Sequence, residues 1–442
     1  MTSQVQTELD KHAAGVVNLR RRDLIGGGIS SLLGATLLGG LGGPAMAFAA
    51  SQAPSTKFPL REYRVAWSAA ARDNLRKKIK AFEYPKAIPG SGWKYGADPD
   101  YLRRLLTYWA DGFDMDAASQ TLNRYPQYIT QVDGMDIHFI RVVGEGGPNK
   151  ARLPLLLTHG WPGSTFEFWN VIEPLAFPSR HGAKSEMAFD LIIPSLPGFG
   201  PSGKPSRPIG ARTTAKIWDK LMRQNLGYDA YYAQGGDWGS GVTAWLGLDY
   251  PASVKAIHLN LMIAAPEVAA VTNEEKQFYS EAAAHEARWG AYYQLQATEP
   301  QSLAYAMAND PVAQAVWLLQ RFHSWSDTRT RPFEQVFSMD QLLTNIMIYV
   351  MNDAFQTSTW FYTGSHEEQV KHMPKGRRVD VPTGFASYLG DARSPAAPRS
   401  IVEQGYNLQH WDVIKQGGHF AAMEVPATFV DNIRAWGRTL KL

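Results

Sequence analysis

The sequence predicts an α/β fold: a mostly parallel sheet with helices on both faces and a long helical insert before the last two strands. Three observations predict it. Short apolar runs alternate with helical patterns between residues 153 and 261, as in a parallel sheet built from crossover connections. That rhythm stops at Met262, and mostly helical patterning rich in Ala, Gln, Trp and Tyr continues to Val379 before strands resume. Within the first of these two parts lies Gly235-Gly236-Asp237-Trp238-Gly239, a glycine-framed strand-to-helix turn.

The first 50 residues do not read as part of that fold. Arg20-Arg21-Arg22-Asp23-Leu24-Ile25 precedes a glycine-rich, weakly apolar run from Gly26 to Gly43, and Pro44 to Ala50 supplies small residues. Basic, apolar and cleavable regions stand in the order of an export signal, and the arginine pair resembles a twin-arginine type. Cleavage is expected after Ala47 or Ala49. An N-terminal membrane anchor is the competing reading, which the glycines and serines of the run weaken. No second long apolar segment follows, so a soluble mature chain of periplasmic or extracellular location is expected.

Ser51 to Thr56 reads as a linker. Residues 51–135 form an N-terminal extension, in which Asp98 is a natural N-cap, Pro99 fits the first helical position, and residues 101, 102, 105, 106 and 109 make an apolar stripe. The core begins at 136, with Ile137 to Val143 a strand after the Asp133-Gly134 turn. Leu153 to Leu157, Phe189 to Ile193, Ala230 to Ala233 and Val254 to Leu261 are the next strands. The insert over 262–379 is expected to cover the carboxyl ends of the strands, where open α/β sheets bind ligands. Val381 to Tyr388 and Leu408 to Gln416 complete the core over 380–442.

Bulk properties exclude some classes. The chain has 442 residues, 45% of them hydrophobic, enough for one large core and a cap. A formal charge of +3 is too balanced to argue for nucleic acid. The chain has no cysteine, which removes thiolate nucleophiles, disulfides and Cys-ligated metal sites.

The turn at 235–239 has the G-x-S-x-G frame of a nucleophile elbow, with aspartate in the place of serine. Such an elbow lifts one side chain to the top of an α/β-hydrolase sheet. A carboxylate there attacks esters poorly but can displace a leaving group from saturated carbon, giving an alkyl ester that water must cleave. In chain order, the acid and then the histidine follow the nucleophile. His419, in Gly417-Gly418-His419-Phe420 after the last strand, takes the place of the base. The acid candidates are Asp391, Glu403 and Asp412. Asp391 is chosen because it directly follows the strand Val381 to Tyr388, whereas Glu403 falls in a helical stretch and Asp412 within the last strand. The His159-Gly160-Trp161-Pro162 turn follows the strand that carries the second oxyanion donor, so the N–H groups of Trp161 and Trp238 are the expected pair.

These residues together resemble the microsomal-type epoxide hydrolases of the α/β-hydrolase superfamily. The resemblance runs through Trp93-Lys94-Tyr95-Gly96, Leu122 to Tyr128, Asp133 to Phe139, His159 to Ser164, Pro194 to Gly200, Gly236 to Ser240 and Gly417 to Ala422. It implies two further roles. Tyr292, beside Tyr293 and after an alanine where the family usually has glycine, and Tyr362 in Trp360-Phe361-Tyr362 would donate hydrogen bonds to the epoxide oxygen. It also implies a carboxylate at Asp391, although Leu389-Gly390 departs from the family's usual approach to it. The implied substrate is a small apolar epoxide, opened to a vicinal diol, in keeping with a detoxifying role; no cofactor or metal is required. A haloalkane dehalogenase shares the aspartate and histidine, but carries Asn where Trp161 stands and lacks the paired tyrosines. A serine-type esterase lacks its serine here, and a non-catalytic ligand binder would have no use for the acid–base set.

Overall fold

The computed structural model describes residues 58–146, 152–183, 187–392 and 395–440. The expected export segment and linker lie outside the described residues.

Among the described residues, nine strands form one sheet: β1 (Arg61–Tyr63), β2 (Gln127–Val132), β3 (Met135–Val142), β4 (Arg152–Thr158), β5 (Ala188–Pro194), β6 (Tyr231–Gly235), β7 (Val254–Leu259), β8 (Val379–Tyr388) and β9 (Tyr406–Ile414). Their order across the sheet is β1-β2-β3-β5-β4-β6-β7-β8-β9. From β5 to β9 neighbours run parallel, whereas β1, β2 and β3 join in antiparallel pairs. The sheet is therefore mostly parallel, as expected. Two strands of the N-terminal extension were not read from the sequence. They are short or alternate weakly, and β1 holds only the pattern exposed, exposed, half-buried. The turn at Asp133-Gly134 closes a two-residue hairpin in which both residues have positive φ, 51° and 81°, the backbone that suits the sheet's twist. Strands β3 and β8 begin two residues before their expected starts at Ile137 and Val381, β7 ends at Leu259 rather than Leu261, and β9 is shifted two residues toward the N-terminus of its expected span.

The central strands are apolar because both faces are covered. All seven residues of β5 are buried. The helix Trp238–Asp249, which leaves the elbow, is buried from Trp238 to Leu248. In the extension, Asp98 caps the helix Pro99–Thr107 by accepting from the N–H groups of Asp100 and Tyr101, and Tyr101, Leu102, Leu105, Leu106 and Trp109 are all buried. The expected cap, first-turn proline and stripe are thus all present.

Between β7 and β8 the chain forms seven helices, from Asn273 to Glu367. Two of them begin with a reciprocal capping box, Thr272 with Glu275 and Ser338 with Gln341. No helix among the described residues is long and apolar enough to cross a membrane.

Candidate active site

Asp237 stands where β6 ends and the helix Trp238–Asp249 begins, at φ 46° and ψ −131°. A non-glycine residue in this region is strained by roughly 1–3 kcal/mol, and it stays there because its surroundings leave no alternative. A Cβ on Gly239 would run into the carbonyl oxygen of Thr158, and one on Gly160 would run into the Asp237 carboxylate. Those two glycines let β4, the following turn and the elbow close on one another.

The two oxygens of Asp237 have different partners. Oδ1 accepts the backbone N–H of Trp161 at 2.9 Å. Oδ2 lies 3.0 Å from Nε2 of His419, whose Nδ1 lies 3.0 Å from Oδ2 of Asp391. The structure therefore brings the elbow aspartate, the histidine and the chosen acid into one chain of contacts. The other two acid candidates are elsewhere: Glu403 pairs with Arg399 at 2.7 Å, and Asp412 accepts from Asn432 at 2.9 Å.

The charges in this chain are coupled. Burial alone would raise the Asp237 pKa, but the contact with His419 and the N–H groups of Trp161 and Trp238 bring it below the usual value. Burial likewise opposes a charge on His419, yet Asp391 and Asp237 override it and raise its pKa to about 10. The resting site thus holds an imidazolium between two carboxylates.

Opposite this chain lies an aromatic wall. Tyr292 stacks on Trp161 with centroids 5.6 Å apart and planes 9° apart. Tyr362 meets Trp238 edge-on at 4.9 Å and Trp161 at 5.7 Å, and the two tyrosine rings are 5.7 Å apart. Trp161 and Tyr362 are fully buried, and Tyr292 is nearly so. Asp237, Trp238, Tyr292, Tyr293 and Tyr362 line one cavity of about 230 Å³, together with Leu261, Met262 and Ile263. Its lining is thus both aromatic and aliphatic, and Glu286, Lys371 and His372 add polar groups to it. Burial, then Tyr292 and Asp237 nearby, raise the Tyr362 pKa well above its ordinary value, so its hydroxyl is protonated. The Trp161-Pro162 bond is cis.

Sequence reasoning missed Glu167. It lies in the helical turn Thr165–Phe168 after the Trp161 turn, with its carboxyl packed against Gly163. Desolvation pushes its pKa up to about 8, with Asp237 adding to the rise and His419 and the Gly160 N–H opposing it. The only sequence signal was its closeness to His159-Gly160-Trp161-Pro162. Among the described residues no cluster of His, Asp and Glu could hold a metal ion.

The comparisons with known proteins give the family and the fold. Residues 60–168 match the model described as epoxide hydrolase N terminus, and residues 154–301 match the alpha/beta hydrolase fold. A Stigmatella aurantiaca protein that bears an epoxide hydrolase name is 38% identical over 384 residues, covering 86% of this chain and 85% of its own. Epoxide hydrolase 1 of Sus scrofa is 32% identical over 408 residues, covering 85% and 88%. The crystal structure of juvenile hormone epoxide hydrolase from the silkworm Bombyx mori superposes with a TM-score of 0.77 at 27% identity, over 87% of this chain and 95% of that one. The chain belongs to the epoxide hydrolase family, in its microsomal-type branch with the α/β-hydrolase fold.

Proposed function

We propose that this chain converts epoxides to vicinal diols through a covalent ester on Asp237. The observation that carries the reading is the division of labour at one carboxylate: Oδ1 held by the Trp161 N–H, Oδ2 facing His419, and the two tyrosines lining the same cavity.

Tyr292 and Tyr362 hold the epoxide oxygen. Asp237 attacks one ring carbon through Oδ2, the carbon–oxygen bond breaks, and its electron pair goes to the epoxide oxygen, which takes a proton from a tyrosine hydroxyl. Hydrogen bonds that strengthen as this charge builds lower the barrier. Esterification also removes the negative charge of Asp237. Only Asp391 then supports the imidazolium, so the proton affinity of His419 falls and the ring can serve as a base. The proton held by His419 then passes to the tyrosinate, restoring the tyrosine and leaving the imidazole neutral. His419 then takes a proton from water, and the hydroxide attacks the ester carbonyl. The N–H groups of Trp161 and Trp238 stabilise the oxyanion at Oδ1. Collapse expels the product alkoxide, which takes the proton of His419 to become the diol, and the carboxylic acid left at Asp237 then gives its proton to His419, restoring the carboxylate and imidazolium. A small apolar epoxide suits the aromatic and aliphatic lining, and the chemistry calls for no metal or organic cofactor.

The test is diol formation from styrene oxide by the purified protein and by Asp237→Ala. Diol from the unaltered protein and none from the variant is the expected result. Normal rates in Asp237→Ala would end the proposal, and halide release from bromoalkanes without diol from styrene oxide would favour a dehalogenase. In this reading the helices between β7 and β8 are the lid of the site, and residues 1–50 direct export by the twin-arginine route.

A further inference from the structure

The loop that carries His419 is held by groups outside the chain of Asp237, His419 and Asp391. Four successive N–H groups each find an acceptor. Gly417 donates to Oδ2 of Asp327 at 3.0 Å, Gly418 to Oε2 of Glu424 at 3.0 Å, and Phe420 to Oε1 of Glu424 at 2.9 Å. His419 itself donates to the carbonyl of Trp325 at 3.1 Å. The N–H of Asp327 completes the arrangement by donating to Oε2 of Glu424 at 2.9 Å.

Three features mark this as built for position. First, both carboxylates are buried, Asp327 at 3% and Glu424 at 5% exposure. Burying a carboxylate is costly unless donors surround it. Here Glu424 takes three backbone donors, while Asp327 takes Gly417 and the Arg329 guanidinium, at 2.8 and 2.9 Å. Second, the packing leaves no slack. A Cβ on Gly418 would come within 2.7 Å of the Asp327 nitrogen, 2.8 Å of the Trp325 oxygen and 2.9 Å of the Gly390 oxygen. Third, the acid is tied to the same loop, because Gly390, the neighbour of Asp391, donates its N–H to the Gly417 carbonyl at 3.0 Å. Trp325 and Asp327 end and follow the helix Pro311–Trp325 of the insert, and the Trp325 ring meets the His419 ring at 4.8 Å.

We propose that Asp327 and Glu424 are positioning residues that lock the His419 loop to the helical insert and so set the aim of the base in ester hydrolysis. The inference rests on the ester mechanism proposed above. It predicts a split between the two half-reactions. Ring opening uses Asp237 and the tyrosines and needs no base, whereas hydrolysis needs the imidazole aimed at a water. An amide at 424 would turn an NH2 group toward a backbone N–H and break at least one of the three contacts.

The experiment is single-turnover kinetics with styrene oxide on the full chain, quenching samples and weighing the intact protein to follow the alkylated form. In Glu424→Gln, hydrolysis of the ester should slow by about 10- to 100-fold, the size expected from displacing a catalytic group by about an ångström. Alkylation should stay within about twofold, so that the ester accumulates and KM falls with kcat. Asp327→Asn should show the same split to a smaller extent, because its amide oxygen can still accept from Gly417, and it decides the matter alone if Glu424→Gln does not fold. Equal loss in both half-reactions, or unchanged hydrolysis in the variant that folds, would overturn the inference. The unaltered protein run alongside separates the two levels: if it forms no ester, the proposed function fails and takes this inference with it.

Discussion

The backbone N–H of Trp161 donates to Oδ1 of Asp237 at 2.9 Å. An oxyanion donor that already grips one oxygen of the nucleophile decides which oxygen is left to attack. Oδ2, facing His419, is the one a substrate carbon can reach, and Oδ1 becomes the carbonyl oxygen that later takes the negative charge.

That assignment has an isotopic consequence. In a single turnover in heavy-oxygen water, the label should enter the carboxyl group of Asp237, and the first diol released should carry ordinary oxygen. Mass spectrometry of the peptide containing residue 237 reads it directly. Label found wholly in the diol would remove the ester from the mechanism.

His419→Gln should form the ester and fail to cleave it. Ring opening is supplied by Asp237, Tyr292 and Tyr362, so about one equivalent of epoxide should be consumed and remain on the protein. The intact mass should rise by that of the epoxide. Continued turnover at the unaltered rate would show that another group activates water.

Each tyrosine can be tested by removing a single oxygen. Tyr362→Phe and Tyr292→Phe should each slow ring opening on the order of 100-fold, with hydrolysis of the preformed ester unchanged. Both rings keep their packing on Trp161, so the melting temperature should hold within a few degrees. A rate loss confined to hydrolysis would contradict the assignment.

The ion pairing of His419 sets a pH dependence with a definite sign. Its folded pKa is raised from 6.5 to about 10, so its contribution to stability is fully present below about 6.5 and is lost as pH rises toward about 10. Asp391→Asn removes one of the two charges responsible. Its imidazolium should titrate at lower pH, seen in ring-nitrogen NMR, and its melting temperature should fall below that of the unaltered protein at pH 7 to 9, the two converging above about pH 10. Coincident titration curves would show that Asp391 does not govern the histidine.

Gly160 and Gly239 should fail differently. Gly160→Ala places a methyl group against the Asp237 carboxylate, and should cost activity far more than stability. Gly239→Ala places it against backbone at Thr158, and should destabilise the fold by about 1–3 kcal/mol. Paired assays of melting and diol formation distinguish them.

Much of this was legible because short-range chemistry carries it. The elbow needs glycines around one reagent, the base follows the last strand, and the acid follows the strand before it; Asp237, His419 and Asp391 could be found by order alone. Tyr292 and Tyr362 could not. They sit on helices whose sequences suit packing equally well, and only the family resemblance singled them out. Glu167, Asp327 and Glu424 escaped altogether. Each acts through contacts with backbone or charges brought near by folding: Asp327 and Gly417 are 90 residues apart, and no local pattern reports such a meeting. Strands β1 and β2 were missed for a related reason, since pairing of β2 with β3 and of β1 with β2, rather than their own alternation, makes them strands.

The aromatic wall gives the molecule an optical sense of its own occupancy. Trp238 lines the cavity, while Trp161 and Trp325 stand one ring behind it against Tyr292. Any guest that reaches Asp237 must change the surroundings of an indole, and esterification erases a formal charge beside that ring. Tryptophan emission, recorded on a millisecond mixing apparatus without any added dye, should therefore register filling, bond formation and emptying as separate phases.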